Sequence, residues 1–318
     1  MKYFRLTQID KPISKIILGC ASKGFWHGKN QDELLNTALS LGITSFDTAR
    51  GYGDSENILG DFIKKNGIKN KVFVQTKGGL HGLLGNSRIN KKCLICDLEK
   101  SLTALNTDCI DTYILHRDNE KIPAEEITEW LNSFIKEGKI KTWGVSNWKH
   151  TRIDKANGYA AQNGLSPIVL SQPQFSLAVN KKWAWLGCVS ITGKDNIAAR
   201  KWYRGSQLPV TAFSPLANGF LSGKVKSENI KETAKSLGYA AKVSYLNEDN
   251  IIRLRRAEEL AKEKGLSVPQ IALAYILSDT MNTFAIVGNS RKESLSESVA
   301  AADIILTPKE RSYLNLET

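Results

Sequence analysis

The sequence predicts an α/β fold, specifically a (β/α)8 barrel, in a single domain that spans residues 1–318. The first observation is an alternation of short β-branched or apolar runs with amphipathic stretches. The second is that eight such runs fit into a chain of this length, with no repeat and no Pro/Gly/Ser-rich linker dividing it. The predicted strands are residues 16–18, 43–46, 71–76, 110–115, 139–145, 167–171, 209–213 and 283–287. The predicted helices are residues 31–41, 55–66, 90–105, 123–137, 148–163, 251–264 and 268–277.

A doubly wound parallel sheet is the main alternative to the barrel. Such a sheet usually binds a dinucleotide on a GxGxxG turn after its first strand. Here the first strand ends in ILGCASKGFWHG, which does not match that turn, so the barrel is favoured. Residues 1–12 precede the first barrel strand, and we expect them to form a hairpin that closes the bottom of the barrel.

Two stretches are longer than ordinary loops. Residues 173–208 contain Trp183, Trp185 and Trp202, and residues 214–250 contain several glycines. Both stretches follow strands, so both are expected at the C-terminal face of the barrel, where active sites form. The tryptophans are candidates for a lid over that face, although packing within the loop explains them equally well.

Composition limits the classes of partner. The net charge is +12, but the lysines are scattered and interrupted by acidic residues, which favours a solvated surface over nucleic-acid binding. No apolar run is long enough to span a membrane, and the N-terminal segment does not read as a signal peptide, so we expect a cytoplasmic protein. The five cysteines are expected to be reduced thiols, and the single CxxC at Cys93 and Cys96 lacks partners for a metal site.

Polar side chains follow three successive predicted strands. The segments ITSFDTARGYGDSE, KVFVQTKGG and DTYILHRDN put Asp47, Tyr52, Lys77 and His116 at or just beyond the ends of the second, third and fourth strands. Because neighbouring strand ends converge at one mouth of a barrel, these four side chains are predicted to cluster. Each alone has an ordinary structural explanation, and their conjunction is what points to a site.

The four residue types match the needs of carbonyl reduction. Tyr52 is suited to give a proton to the carbonyl oxygen, but a free tyrosine has a pKa of roughly 10. Lys77 stabilises the phenolate and lowers that pKa, and Asp47 holds Lys77 charged and in place. His116 donates a hydrogen bond to the carbonyl oxygen. This chemistry requires no metal.

These segments resemble the aldo-keto reductase superfamily. FDTARGYGDSE is similar to its DTAxxYGxSE signature, TKGG to its catalytic-lysine segment and LHRDN to its histidine segment. The resemblance continues through WGVSNW, SQPQFSL, FSPLANGFLSGK and IVGNSRKESLSES, and so covers nearly the whole chain. It implies a reductase that transfers hydride from a nicotinamide cofactor.

The resemblance also implies the cofactor contacts. Ser146, Asn147 and Gln172 would hold the nicotinamide carboxamide, and Phe175 would stack on the ring. The pyrophosphate would lie against Ser214, Leu216, Gly219 and Lys224. The final segment assigns the adenosine end to Gly288, Ser290, Arg291 and Glu297.

NADPH is the expected cofactor, because Ser290 and the charged fork of Arg291 suit the adenosine 2′-phosphate that NADH lacks. Ser294 and Ser298 depart from the family pattern, in which Gln or Arg and Asn are common, and this weakens the adenine assignments.

The substrate is less defined by the sequence. Trp26 follows the first strand and is a candidate wall of the substrate pocket. The expected substrate is a small carbonyl compound, and sugar-derived aldehydes and ketones are among the candidates. A second interpretation is a cofactor-binding, redox-sensing regulatory subunit, as in potassium-channel β subunits, which the overall pattern also resembles. A third, a barrel hydrolase or lyase using Asp47 and His116, leaves the nicotinamide-type segments unexplained. The sequence does not determine the oligomeric state.

Overall fold

The computed structural model of the chain describes residues 1–81, 86–182, 187–288 and 291–317. Two short antiparallel strands open the chain, β1 (Tyr3–Phe4) and β2 (Ile13–Ser14). This is the predicted hairpin, although the whole of its second strand lies just beyond residue 12, the predicted boundary. The turn between the strands carries Leu6 and Ile9 into a buried apolar cluster.

Eight parallel strands follow and close into a barrel, which confirms the predicted fold class. In chain order they are β3 (Ile16–Gly19), β4 (Ser45–Asp47), β5 (Phe73–Gly78), β6 (Ile110–Leu115), β7 (Ile140–Ser146), β8 (Ile168–Gln172), β9 (Val210–Ala212) and β10 (Thr283–Val287). Each strand pairs with the next, and β10 pairs with β3 to complete the ring. Most strands are buried on both faces, because interior side chains fill one side and helices cover the other.

Helices surround the barrel. They are α1 (Lys23–Trp26), α2 (Asp32–Ser40), α3 (Ser55–Asn66), α4 (Lys91–Ala104), α5 (Ala124–Lys136), α6 (His150–Gln162), α7 (Ile197–Ser206), α8 (Ile230–Thr233), α9 (Tyr239–Tyr245), α10 (Glu248–Lys264), α11 (Val268–Leu277), α12 (Lys292–Ala300) and α13 (Pro308–Leu314). In α5, Ile127, Leu131 and Phe134 are buried at helical spacing, so one apolar stripe packs on the barrel. Helix α11 begins with a capping box between Ser267 and Gln270 and is buried over most of its length.

The long stretch at residues 173–208 is only partly loop, because α7 occupies its end. No helix was predicted there, and α7 buries just Ala199 and Tyr203. Similarly, α10 begins at Glu248 rather than at residue 251. The Asn247 side chain caps it by accepting a hydrogen bond from the Asn250 backbone N–H.

The bottom of the barrel is closed by the hairpin. Leu6, Ile9 and Ile13 pack against apolar side chains inside the barrel, among them Phe73 and Phe284 at the N-terminal ends of their strands. The C-terminal ends therefore form the open mouth. Within the described residues, no helix is long and apolar enough to cross a membrane.

Candidate active site

The strand ends bring the four predicted residues together at the mouth. Asp47 is the last residue of β4, Lys77 the penultimate residue of β5, and His116 directly follows β6. Tyr52 lies on the turn between β4 and α3. The β4–β5–β6 pairing makes these three strands neighbours, so their ends converge as expected.

Asp47 and Lys77 form a buried ion pair beneath the mouth. Lys77 Nζ lies 2.8 Å from Asp47 Oδ2 and also donates to the Thr48 carbonyl at 2.7 Å. Asp47 Oδ1 accepts hydrogen bonds from Gln75 at 2.7 Å and from Gln172 at 2.9 Å. A buried pair is stable only when such hydrogen bonds satisfy its remaining polar atoms. The arrangement therefore fixes the Lys77 ammonium in one position.

The Tyr52 ring lies against both Lys77 and His116. Lys77 Nζ is 4.8 Å from the centre of the ring, and the His116 ring meets it edge-on with centroids 5.5 Å apart. Burial raises the pKa of Tyr52, and the charge of Lys77 opposes that rise. Lys77 thus acts in the predicted direction, but burial has the larger effect on the pKa of Tyr52.

The Lys77 ammonium is held in its charged form. Burial lowers its pKa, but Asp47 and Tyr52 raise it, and the net pKa lies above the ordinary value. His116 shows the reverse, because burial and then the nearby charges of Lys77 and Arg117 lower its pKa well below the ordinary value. His116 is therefore a neutral imidazole. Its Nδ1 is buried and finds no hydrogen-bond partner within the described part of the chain.

A cavity of about 850 Å³ runs from this cluster across the barrel mouth. Asp47, Tyr52 and His116 line it, whereas Lys77 lies beneath them, 1% exposed. Most of the residues assigned to cofactor binding from sequence also line it, and they are Ser146, Asn147, Gln172, Ser214, Leu216, Gly219, Lys224, Gly288, Arg291 and Glu297. Ser290 lies outside the described residues.

At the end nearest Asp47, two polar side chains are held in place by backbone carbonyls. Ser146 Oγ donates to the Gln172 carbonyl at 2.8 Å, and Asn147 Nδ2 donates to the His116 carbonyl at 3.2 Å. Asn147 has a φ of 64°, a left-handed conformation that Asn tolerates better than most residues. These contacts orient polar atoms at the cavity wall.

The segment after β9 has an unusual backbone. Ser214, Ala217 and Asn218 all have positive φ although none is glycine, and Gly219 has a φ of 93°. Ser214 Oγ donates to Asn218 Oδ1 at 2.8 Å, which ties the two ends of the turn together. Strained backbone of this kind clusters at ligand-binding segments. Lys224 follows on the same cavity wall.

The far end of the cavity lies at the start of α12. Arg291 is the exposed residue preceding the helix, and its Nη2 is 3.5 Å from Ser294 Oγ. Glu297 and Ser298 line the same end. A cation at a helix N-terminus together with free backbone N–H groups is an anion-binding arrangement.

Phe175 is not brought to the cavity. It is 1% exposed and packs against Tyr275, with ring centroids 6.3 Å apart. The phenylalanine among the described residues that line the cavity is Phe213, which directly follows β9. The sequence interpretation missed Phe213, although its position at the end of the predicted strand 209–213 resembles the strand-end positions that located the other site residues.

Trp26 lines the cavity beside Tyr52, with ring centroids 6.2 Å apart. It is 44% exposed, as expected for the wall of an open pocket. Trp183 and Trp185 lie outside the described residues. Trp202 is on α7, where its Nε1 donates to Asp154 of α6, so it packs on the barrel exterior and does not cover the mouth.

The structure thus combines a (β/α)8 barrel with a buried Asp–Lys pair, a tyrosine and a neutral histidine at its mouth, beside a long cleft, and barrel enzymes have their active sites at this face. The chain belongs to the Aldo/keto reductase family, whose pattern matches residues 15–315. Members of this family generally use NAD(P)H.

Three relatives illustrate the range of similar proteins. The chain is 28% identical over 309 residues to L-glyceraldehyde 3-phosphate reductase of Escherichia coli K12, covering 91% of this chain and 85% of that protein. It is 30% identical over 285 residues to aldo-keto reductase str7 of Strobilurus tenacellus, covering 87% and 78%. It is 28% identical over 295 residues to a putative voltage-gated potassium channel subunit beta of Schizosaccharomyces pombe, covering 89% and 81%.

Proposed function

We propose that the chain reduces an aldehyde or ketone to an alcohol with NADPH, and that Tyr52 gives the proton to the carbonyl oxygen. The observation that carries this proposal is the buried Asp47–Lys77 pair beneath Tyr52, with neutral His116 against the same ring. Family membership and the two relatives named as reductases support an oxidoreductase of this kind.

The chain's own residues divide the work at the carbonyl. The substrate oxygen lies between the Tyr52 hydroxyl and the His116 ring, where a neutral imidazole donates a hydrogen bond. As negative charge develops on that oxygen, Tyr52 transfers its proton to it. Lys77 stabilises the resulting phenolate, and Asp47 keeps Lys77 charged and immobile.

The cavity residues fit a nicotinamide dinucleotide. NADPH would supply the hydride to the carbonyl carbon. Ser146, Asn147 and Gln172 would hold the carboxamide, and Phe213 rather than Phe175 is in position to stack on the ring.

The rest of the dinucleotide would follow the cleft. The positive-φ segment from Ser214 to Gly219, together with Leu216 and Lys224, would hold the pyrophosphate. Gly288, Arg291 and Glu297 would hold the adenosine end, and the Arg291 guanidinium favours NADPH over NADH because it can pair with a 2′-phosphate.

The test compares wild type with Tyr52→Phe on a panel of aldehydes and ketones, following NADPH oxidation. We expect turnover to fall by about 10²-fold or more because the proton donor is lost. Fluorescence titrations should show that both proteins still bind NADPH, and bind it more tightly than NADH. Equal turnover by the two proteins would contradict the proposed role of Tyr52.

A redox-sensing regulatory subunit is the second candidate, and the similarity to the protein named as a fungal channel subunit favours it. The same experiment separates the two functions. A sensor would bind NADPH tightly in the titration and yet show no turnover on any carbonyl compound of the panel.

A further inference from the structure

The loop that carries Tyr52 is joined to the strand that carries Lys77. The backbone N–H of Thr48 donates to the Gln75 carbonyl at 3.0 Å. The backbone N–H of Arg50 donates to the Lys77 carbonyl at 2.9 Å. These bonds continue the pairing of β4 with β5 beyond the end of β4. The second of them lies two residues before Tyr52, so the position of the tyrosine depends on what else holds the loop.

The carboxylate of Glu56 bridges that loop and the same strand. Glu56 is the second residue of α3 and is 0% exposed. Its Oε2 accepts from Arg50 Nη1 at 2.7 Å, and its Oε1 accepts from Thr76 Oγ1 at 2.6 Å. Arg50 lies two residues before Tyr52 on the loop. Thr76 directly precedes Lys77 on β5, so one side chain links the neighbours of both reacting groups.

This bridge is shielded from water. The side chain of Glu56 is 1% exposed and that of Arg50 is 27% exposed. Burial raises the pKa of Glu56, and the hydrogen bond from Thr76 and then the charges of Arg50 and Lys77 oppose that rise. A buried carboxylate is costly unless both of its oxygens are paired. The structure therefore favours the one arrangement of the loop in which Arg50 and Thr76 both reach Glu56.

The bridge lies behind the cavity wall. Gly51 and Tyr52 are among the described residues that line the cavity. That described lining does not include Arg50, Glu56 or Thr76. Any influence of the bridge on the reaction must therefore pass through the loop that it holds, and not through a contact with substrate or cofactor.

We propose that Glu56 is a positioning residue, whose carboxylate fixes the Tyr52 loop against the strand of Lys77. This inference rests on the proposed function and adds a residue to it. Proton transfer requires the donor within hydrogen-bond reach of the reacting oxygen, and a misplacement of about 1 Å can slow a reaction by about 10²-fold. Loss of the carboxylate therefore lowers kcat and leaves the binding of substrate and cofactor intact.

The experiment compares Glu56→Gln with a matched change elsewhere. Glu56→Gln keeps the shape of the side chain and removes its charge. We expect kcat to fall by about 10- to 100-fold, with KM for the carbonyl compound and Kd for NADPH as in wild type. The control is Asp279→Asn, which removes the charge of another buried carboxylate, one that pairs with Arg204 and Arg311 between α11 and β10. Both substitutions should lower Tm, and only Glu56→Gln should lower kcat.

Thr76 provides a second test with a smaller effect on stability. Thr76→Val removes the donor hydroxyl from a side chain of nearly the same shape, and kcat should fall by about 10-fold. Thr76→Ser keeps the hydroxyl and should restore kcat to the wild-type value. The control is Thr128→Val, which removes a buried hydroxyl that donates to the Ala124 carbonyl within α5. Its kcat should equal that of wild type.

Hydrogen exchange of the cofactor-free protein adds a readout that does not need turnover. Residues 48–55 should exchange faster in Glu56→Gln than in wild type, and at the wild-type rate in Asp279→Asn. Unchanged exchange of this segment in Glu56→Gln, or an equal fall of kcat in Glu56→Gln and Asp279→Asn, overturns the role of Glu56. A wild-type kcat in both Glu56→Gln and Thr76→Val does the same, while Tyr52-dependent turnover still supports the reductase. The absence of Tyr52-dependent turnover on the panel of carbonyl compounds overturns the proposed function and the role of Glu56 with it.

Discussion

The geometry of the proposed active site depends on the carboxylate of Asp47. Its two oxygens accept from Gln75, Lys77 and Gln172, which come from β5 and β8. Gln172 also lines the cavity, so the same side chain connects the Asp47–Lys77 ion pair to the proposed carboxamide site. A change at any one of these positions is therefore expected to affect both proton transfer and cofactor orientation.

Lys77→Met is expected to slow carbonyl reduction by about 10²-fold or more. Burial and Asp47 raise the pKa of Tyr52, and Lys77 is the main group that lowers it. Without Lys77 the pKa rises further, so Tyr52 becomes a weaker acid. In the reverse direction, the pH at which alcohol oxidation begins should move upward, as a pH profile of kcat would show.

The control for that variant is Lys71→Met, which removes an exposed lysine just before β5. It should leave both the rate and the pH profile as in wild type. Because Lys77→Met leaves Asp47 buried without its ion pair, Lys77→Met combined with Asp47→Asn serves as a second variant if the single change unfolds the protein. A profile that shifts to lower pH would contradict the role assigned to Lys77.

At the scale of residues, the sequence predicted positions that depend on strand ends and missed contacts that depend on packing. Asp47, Lys77 and His116 were located because each directly ends an apolar run. Gln75 shares the face of Lys77, two residues earlier on the same strand, and that spacing was an available signal for its bond to Asp47. Phe175 was assigned by resemblance alone, whereas Phe213 satisfies the strand-end rule and lines the cavity.

At the scale of elements, the turn between β4 and α3 determines where Tyr52 lies. Gly53 has a φ of 57°, and a Cβ on it would lie 2.3 Å from the Trp26 carbonyl oxygen. The backbone at Gly53 therefore passes close to the backbone of Trp26 at the end of α1, and this holds the Trp26 and Tyr52 rings side by side. Only glycine permits it, which gives a physical reason for the Gly after Tyr52 in the sequence YG.

Gly53→Ala is expected to destabilise the protein by about 3 kcal/mol and to lower kcat, because the backbone must shift beneath Tyr52. Gly67→Ala is the matched control. Gly67 has a similar φ of 62° at the end of α3, but a Cβ there meets nothing within 4 Å.

The control should therefore show only the cost of a left-handed residue, about 1 kcal/mol, with kcat as in wild type. Urea unfolding and steady-state kinetics measure both effects. Equal losses of stability in the two variants would mean that the contact with Trp26 has no energetic importance.

Local sequence patterns are least informative for a helix that buries few residues. Helix α5 was predicted because its apolar residues recur at helical spacing, whereas α7 was not predicted and buries only Ala199 and Tyr203. A helix with so little buried surface owes its position to neighbouring elements, such as α6, where Asp154 accepts from Trp202. Contacts of this kind cannot be read from local periodicity.

At the scale of the whole molecule, the residues that close the bottom of the barrel lie at the opposite end from the proposed active site. The proposed active site lies at the C-terminal ends of the strands, and the hairpin closes the N-terminal ends with an apolar cluster. A buried ion pair between Lys11 and Asp111, at 2.7 Å, ties the segment that leads into β2 to the start of β6. Ile9 lies in the hairpin at the bottom of this cluster and does not line the cavity, so a defect there is expected not to reach the mouth.

Ile9→Ala tests this separation. Ile9 is 2% exposed within the bottom cluster, so the truncation should leave a cavity and lower the free energy of unfolding by about 2–5 kcal/mol. At a temperature where the variant remains folded, kcat and KM should equal those of wild type. Ile305→Ala makes the same chemical change at a residue that is 72% exposed, and its free energy of unfolding should change by less than about 0.5 kcal/mol. A change in KM in Ile9→Ala without one in Ile305→Ala would show that the bottom of the barrel is coupled to the site at its mouth.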